Sequence, residues 1–357
     1  MIISLTKVFL PAIISFLIGV LITPAITGYL YRNKMWKKKA GKKALDGSDA
    51  KVFNELHKEK EVGTPRMGGM VIWLSATATI LLVWVISKIF PTDTTLKLDF
   101  LSRSQTWLPL FTLLGGALVG AIDDSAEIRG SIDYIAGGLS LKKRLLAVTV
   151  ISGFVAYWFF AKLGVSSIGL PLGMALNIGW LFIPFFIIVA LAVYSGGTID
   201  GIDGLAGGVF ASMFAAYAGI AFFQNQVDLA AFCAVILGGI LAFLWFNIPP
   251  ARFYMSETGS MALTITLTVV AFMTDKLGDG YGVLVLPIIA LPLFVTSASS
   301  IIQVLSKKYR HGKKIFLVAP LHHHFEALGW PSYKVTMRYW IISLILALIG
   351  IIVGLLG

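Results

Sequence analysis

Charge is scarce in this chain. Of 357 residues only 13% are Asp, Glu, Lys or Arg, about half the roughly 25% usual for a soluble domain. Acids are the scarcer sign, with 18 Asp and Glu against 29 Lys and Arg. Cysteine is nearly absent. The single Cys233 sits among Ala, Phe and Val, which excludes an internal disulfide or a thiolate metal cluster and leaves a buried core thiol. Histidine is thin as well: there are five, and three of them, His322, His323 and His324, stand together in "VAPLHHHFEALGW". No polar stretch is long enough to fold as a soluble domain, and no convincing internal repeat is present.

Apolar residues fill the space that charge leaves. They make up 57% of the chain, and mean hydropathy is +0.85. Runs long enough to cross a hydrocarbon core of about 30 Å recur ten times, at 8–31, 67–90, 107–124, 143–163, 175–195, 202–223, 228–248, 259–275, 280–305 and 336–357. The pattern predicts an all-α integral membrane protein, a single polytopic domain over 1–357 with about ten transmembrane helices. The first run is too long, and lacks a small-residue cleavage site, to be a removed signal peptide.

The basic residues orient the spans. With both termini outside, the inner loops and helix ends hold 23 of the 29 Lys and Arg, including eleven between Arg32 and Arg66 and seven between Lys307 and Arg338. Only Lys7, Lys88, Lys97, Arg103, Lys162 and Lys276 fall outside. That asymmetry is the positive-inside pattern, so the catalytic loops are expected on the cytoplasmic side. No basic patch is interleaved with aromatics, which argues against a nucleic-acid partner. The net charge of +11 suits anionic membrane lipid and anionic soluble substrates instead.

Five inner loops carry the chemistry-bearing residues: 32–66, 124–142, 195–203, 247–258 and 306–335. On the outer side "SSIGLPLG" (166–173) has the turn signals of a small hairpin. Pro287 and Pro292 predict a break or kink in the ninth run. "GAIDDSAEIRG" places Asp123 and Asp124 at the inner end of the third span. "GGTIDGIDGLAGG" places Asp200 and Asp203 at the inner start of the sixth, and "NIPPARFYMSETGSMAL" places Glu257 at the inner start of the eighth. Asp200, Asp203 and Glu257, at helix starts, each read equally well alone as a helix cap. Five on one face of so charge-poor a chain read as a functional cluster, because ionisable groups at membrane depth are costly. Carboxylates facing a basic surface suit Mg²⁺ completed by phosphate and water, hence phosphoryl transfer. The acids lie at helix ends, away from the midplane where transporter sites sit. The three histidines cannot converge on one ion from consecutive positions, so they read as phosphate partners.

In order along the chain, "GTPRMGGM" (63–70), "AIDD" (121–124), "IDGIDGLAGG" (199–208), "FLWFNIPPARFYMSETGS" (243–260) and "APLHHHFEALGWP" (319–331) resemble the phospho-N-acetylmuramoyl-pentapeptide transferases. These belong to the polyprenyl-phosphate N-acetylhexosamine-1-phosphate transferase superfamily. The resemblance runs from about residue 60 to the C-terminus, and "PLHHHFE" is the sign of the muramoyl branch. It implies a ten-span homodimer in the bacterial inner membrane that uses Mg²⁺. It also implies transfer of phospho-N-acetylmuramoyl-pentapeptide from its UDP carrier to undecaprenyl phosphate, giving lipid I and UMP. Carried over by motif, Asp123, Asp124 and Glu257 are the catalytic and metal-binding acids. Asp200, Asp203, Asn247, Tyr254, His322, His323 and His324 are substrate-binding, with Tyr254 the aromatic that stacks on uracil.

Four positions depart from the family pattern. Ser256 and Glu257 stand for glycine and aspartate, Gly197 for asparagine and Arg66 for threonine. The lysine expected two residues before the "GTPRMGG" turn is Glu61, and Lys60 is the neighbour that would take its place. A sister enzyme loading another N-acetylhexosamine phosphate stays open as an alternative, as does a non-catalytic lipid-binding or transport protein.

Overall fold

The computed structural model describes residues 1–38, 62–102, 104–130, 138–171 and 173–356. In chain order its helices begin α1 (Ile2–Arg32), α2 (Met70–Ile89), α3 (Asp93–Leu98), α4 (Trp107–Ile128) and α5 (Leu141–Lys162). A two-stranded hairpin, β1 (Ser167–Leu170) with β2 (Met174–Asn177), precedes α6 (Phe182–Ser195), α7 (Leu205–Phe223), α8 (Val227–Asn247) and α9 (Ser256–Met273). Then come α10 (Gly282–Ile289), α11 (Leu291–Tyr309), α12 (Leu321–Ala327) and α13 (Ser332–Leu355).

Among the described residues, nine helices are long and apolar enough to cross a membrane. Helices α10 and α11 meet at 64° and, counted as one bent pair, are long and apolar enough together for a tenth. The break falls at Ala290, between Pro287 inside α10 and Pro292 in the first turn of α11. Neither proline donates a backbone hydrogen bond, and Pro292 is tolerated where the first-turn N–H has no intrahelical partner. The multi-pass helical architecture expected from hydropathy is therefore present, with shifted ends. The first span starts at Ile2, and the eighth starts at Ser256, three residues before the apolar run. Two short helices that hydropathy does not reveal, α3 and α12, lie in loops. The hairpin expected near 166–173 is present and runs on to Asn177, with Ser167 paired to Asn177 and Leu170 to Met174.

Helix α9 is the central strut, with 94% of its span buried inside the protein. Its polar residues fit an apolar surround because they bond back to their own helix. Thr264 Oγ1 donates to Ser260 O at 2.7 Å and Thr268 Oγ1 to Thr264 O at 3.0 Å, so these hydroxyls are satisfied at membrane depth. Against it lies α4, brought close by Gly116 and Gly120. A Cβ on Gly116 would sit 2.8 Å from Ala262 Cα, and one on Gly120 would overlap the Glu257 carbonyl. Small residues one turn apart let two membrane helices touch backbone to backbone. This contact sets the end of α4 beside the start of α9, where the site forms.

Further along, Phe159, Phe182, Phe186 and Phe272 lock α5, α6 and α9 together, with the Phe186 and Phe272 rings 4.3 Å apart. On the face opposite the site, Asp275 accepts from Gly169 N at 2.7 Å and Val283 N at 3.0 Å, pinning the hairpin to the end of α9.

Candidate active site

Helix α9 starts without a cap of its own. Its N-terminal neighbour Met255 offers no side-chain acceptor, and Ser256 has a left-handed φ of 55°. The first N–H groups of a helix need outside acceptors, and here two distant carboxylates supply them. Asp200 Oδ2 accepts from Ser256 N at 2.7 Å. Asp124 accepts from Glu257 N at 3.2 Å, Thr258 N at 3.0 Å and Thr258 Oγ1 at 2.5 Å. Asp124 and Asp200 thus cap a neighbouring helix and not their own. Negative charge there also matches the positive end of the helix dipole.

Asp123, one residue before Asp124, faces elsewhere, since consecutive helical residues point about 100° apart. It is fully buried, and its Oδ1 accepts from Leu139 N at 2.7 Å and from Arg144 Nε at 2.9 Å. The other end of the same guanidinium reaches Glu257, with Arg144 Nη1 to Oε1 at 3.1 Å. Glu257 Oε2 lies 3.5 Å from the Tyr194 hydroxyl and 3.4 Å from Ser260 Oγ. Arg144 thus adds a second polar link between α4 and α9, beside that of Asp124. Asp123 Oδ2 is buried with no hydrogen-bond partner among the described residues.

The acids therefore sort into two roles by contact. Asp124 and Asp200 hold the start of α9, while Asp123 and Glu257 share one arginine. Among the described residues no three His, Cys, Asp or Glu side chains converge as a metal cage. Two carboxylates, one with an unmatched buried oxygen, still fit a Mg²⁺ ion, which commonly takes one or two carboxylates and completes its shell with phosphate and water.

The fifth acid, Asp203, together with Asn247 at the end of α8, organises the neighbouring turn. Asp203 Oδ2 accepts from Ala251 N at 3.3 Å. Asn247 accepts from Gly204 N at 3.0 Å and donates to Phe253 O at 2.8 Å, clasping two loops. Tyr254 is held by a backbone ladder to the 63–69 turn, with Tyr254 N on Pro65 O at 2.9 Å and Gly68 N on Tyr254 O at 2.8 Å. Burial pushes the Tyr254 hydroxyl up to about 12, against the opposing pull of a hydrogen bond with Thr64. Arg66 pairs with Glu127 at 2.7 Å, and Lys37 joins the same carboxylate at 3.3 Å. Lys60 lies outside the described residues.

The histidine loop closes the site from the side. Residues 321–327 coil into α12, which sends His324 away while the His322 and His323 rings pack edge to face with centroids 4.3 Å apart. His322 and His323 are buried against the Asp200–Asp203 turn. A Cβ on Gly201 would overlap His322 Nε2 and lie 2.7 Å from His323 Nε2, so only glycine fits there unless the loops part. His323 Nδ1 bonds Glu326 Oε2 at 2.7 Å, and Ser332 Oγ donates to Glu326 Oε1 at 2.6 Å, which fixes the ring's orientation. His324 turns away and accepts from Leu317 N at 3.2 Å.

Comparison with known proteins decides the family. The chain is 34% identical over 346 residues to the phospho-N-acetylmuramoyl-pentapeptide-transferase of Geobacillus sp. (strain WCH70), with 96% of each chain covered. It is 32% identical over 342 residues to that of Anoxybacillus flavithermus, with 95% of each covered. Against that of Pelagibacter ubique it is 34% identical over 317 residues, covering 83% of this chain and 81% of the relative. The chain belongs to the phospho-N-acetylmuramoyl-pentapeptide transferase family. The broader description Glycosyl transferase family 4 matches residues 106–275, which hold all five site acids.

As a member of that transferase family the chain carries features that motif reading missed. Arg144 is the foremost. Its only signal in sequence is a third basic residue in "LKKRLL", at the polar start of a span. Glu127 and Lys37 likewise gain meaning only through Arg66, one of the departures. Glu257, longer by a methylene than the aspartate of the family pattern, is the residue whose extra reach meets Arg144. Gly197, at the asparagine position, faces Ser260 with ordinary clearance of 3.5 Å for an added Cβ.

Proposed function

We propose that this protein transfers phospho-N-acetylmuramoyl-pentapeptide from its UDP carrier to undecaprenyl phosphate at the cytoplasmic face of the bacterial inner membrane, as a homodimer. The observation that carries this reading is the Asp123–Arg144–Glu257 chain at the start of α9, with the histidine-bearing α12 docked on the Asp200–Asp203 turn that holds that start, in a protein alike over almost its full length to transferases of that name. A phosphate oxygen of the lipid attacks the sugar-linked phosphorus, one P–O bond forms, and the bond to UMP breaks. The lipid phosphate has a second pKa near about 6 and is mostly dianionic at neutral pH, so it needs little help from a base. Mutual repulsion of the two phosphates is the larger barrier, and positioned positive charge answers it.

Each part of the site then has a task. Arg144 and the buried His322 and His323 supply positive charge or donors to phosphate oxygens. Asp123 and Glu257 hold Mg²⁺, whose charge offsets that of the phosphates when it is bound. Asp124 and Asp200 keep the start of α9, and so Glu257, in place. Tyr254 offers its ring to the uracil, and the basic loops draw in the anionic donor. Direct attack is favoured over a covalent aspartyl route because the acceptor is already a competent nucleophile.

The test is UMP release by the purified protein with and without undecaprenyl phosphate, in a Mg²⁺ series, with the muramoyl-pentapeptide and N-acetylglucosamine forms of the UDP donor compared. Lipid-dependent release from the muramoyl donor is the expected result. Release only from the other donor moves the chain to a sister activity, and release from neither removes the assignment.

A further inference from the structure

Arg144 occupies the position between the two carboxylates assigned to the metal. Its Nε is 2.9 Å from Asp123 Oδ1 and its Nη1 is 3.1 Å from Glu257 Oε1. The side chains of Asp123, Arg144 and Glu257 are 0%, 14% and 24% exposed, so water screens them poorly. Two such carboxylates without a cation between them repel strongly. An arginine side chain remains charged at any pH a protein survives, so its charge leaves the pair only by movement of the side chain.

We propose that Arg144 is the resident counter-cation of this site, and that it competes with the divalent metal for Glu257. In the structure Glu257 Oε1 is engaged by the guanidinium, whereas Asp123 keeps one oxygen, Oδ2, buried and unmatched among the described residues. A divalent cation entering at that oxygen completes its protein ligands only when Nη1 releases Glu257. Nε stays on Asp123 Oδ1, so the arginine swings about one fixed contact and its freed end turns toward incoming phosphate. The extra methylene of Glu257 brings the carboxylate to the arginine, so the arginine and the long acid act as a pair. Arg144 is in this sense a positioning residue that sets how much metal the site requires. The inference rests on the reading that the site takes a divalent cation.

The experiment uses the full-length protein in detergent micelles and follows Mg²⁺-dependent thermal unfolding and Mn²⁺ binding by electron paramagnetic resonance. Arg144→Gln is expected to melt lower than the parent without metal and to bind Mn²⁺ with a half-saturating concentration lower by ~10-fold or more. Glu257→Asp, which keeps the charge but withdraws it from Arg144, is expected to shift in the same direction and serves if Arg144→Gln does not fold. Equal or weaker metal binding in these variants overturns the proposal, and so does absence of any metal effect on the parent. UMP release measured in the same series separates the two readings. A parent that binds metal in competition with Arg144 but releases no UMP defeats the function while leaving this inference intact.

Discussion

Asp124→Asn separates the role of an anchor from the role of a catalytic group. The carboxylate receives three donors, Glu257 N at 3.2 Å, Thr258 N at 3.0 Å and Thr258 Oγ1 at 2.5 Å. Asparagine keeps one acceptor atom and turns an NH₂ toward donors that have nowhere else to go. Loss of one charge-assisted hydrogen bond costs roughly 1.5–3 kcal/mol. Loss of the negative charge at the start of α9 costs up to about 2 kcal/mol more in a partly buried setting. Together these amount to roughly 1.5–5 kcal/mol, concentrated on the turn that carries Glu257. If about 3 kcal/mol of that is felt at the site, UMP release falls by at least ~100-fold. Thermal unfolding in detergent must fall as well, because the same contacts join α4 to α9. Asp123→Asn is the matched comparison. It removes a partner of Arg144 yet leaves every α9 donor satisfied, so it should lose activity with a smaller loss of stability. An inactive Asp124→Asn that melts with the parent would falsify the anchor argument and put Asp124 in contact with substrate. A normal rate would remove it from the site.

Three further outcomes follow from neighbouring contacts. Gly201→Ala should drive α12 from the acidic loop, since the new Cβ meets His323 Nε2 at 2.7 Å and His322 Nε2 closer still. A loss of about 1–3 kcal/mol of stability is expected, with a marked fall in UMP release, while Gly197→Ala, with 3.5 Å of clearance, should cost little stability. Arg66→Thr leaves Glu127 paired only with Lys37 among its recorded ion pairs. It should cost roughly 1–3 kcal/mol, less than breaking a fully buried pair, and raise KM for the donor by loosening the turn that holds Tyr254; an unchanged KM would detach that turn from donor binding. The Tyr254 hydroxyl, raised from 10.0 to about 12, is neutral throughout the working range, so Tyr254→Phe should leave the shape of the pH–rate profile unchanged. The raised value means the folded protein favours the neutral form. Its stabilising effect is full below pH 10 and is lost as pH climbs toward about 12. Alkaline unfolding in that window should therefore be milder for Tyr254→Phe, and equal slopes for the two proteins would contradict the burial argument.

Hydropathy and charge alone disclosed the helical spans, their broken ninth member and the loops that hold the acids. These are local properties: an apolar run must be long enough to cross the bilayer, and a proline breaks a helix wherever it stands. Motifs marked the site acids for the same reason, since spacing along the chain survives without a fold. What each acid does was decided by tertiary contacts, which span from 16 to 134 residues of sequence. Asp123 and Asp124 are neighbours in sequence, yet helical geometry turns one to Arg144 and the other to the bare start of α9. Glu257 looked like a displaced metal ligand, and only the packing of α5 against α4 and α9 shows the guanidinium that its longer side chain reaches. The histidine run likewise read as one feature of three equal rings. Coiling into α12 and docking on Gly201 divided it, burying His322 and His323 and sending His324 to a loop amide. Such pairings depend on which helix faces come together, and that is settled by the tight glycine contact of α4 with α9, where removal of two side chains permits the close approach.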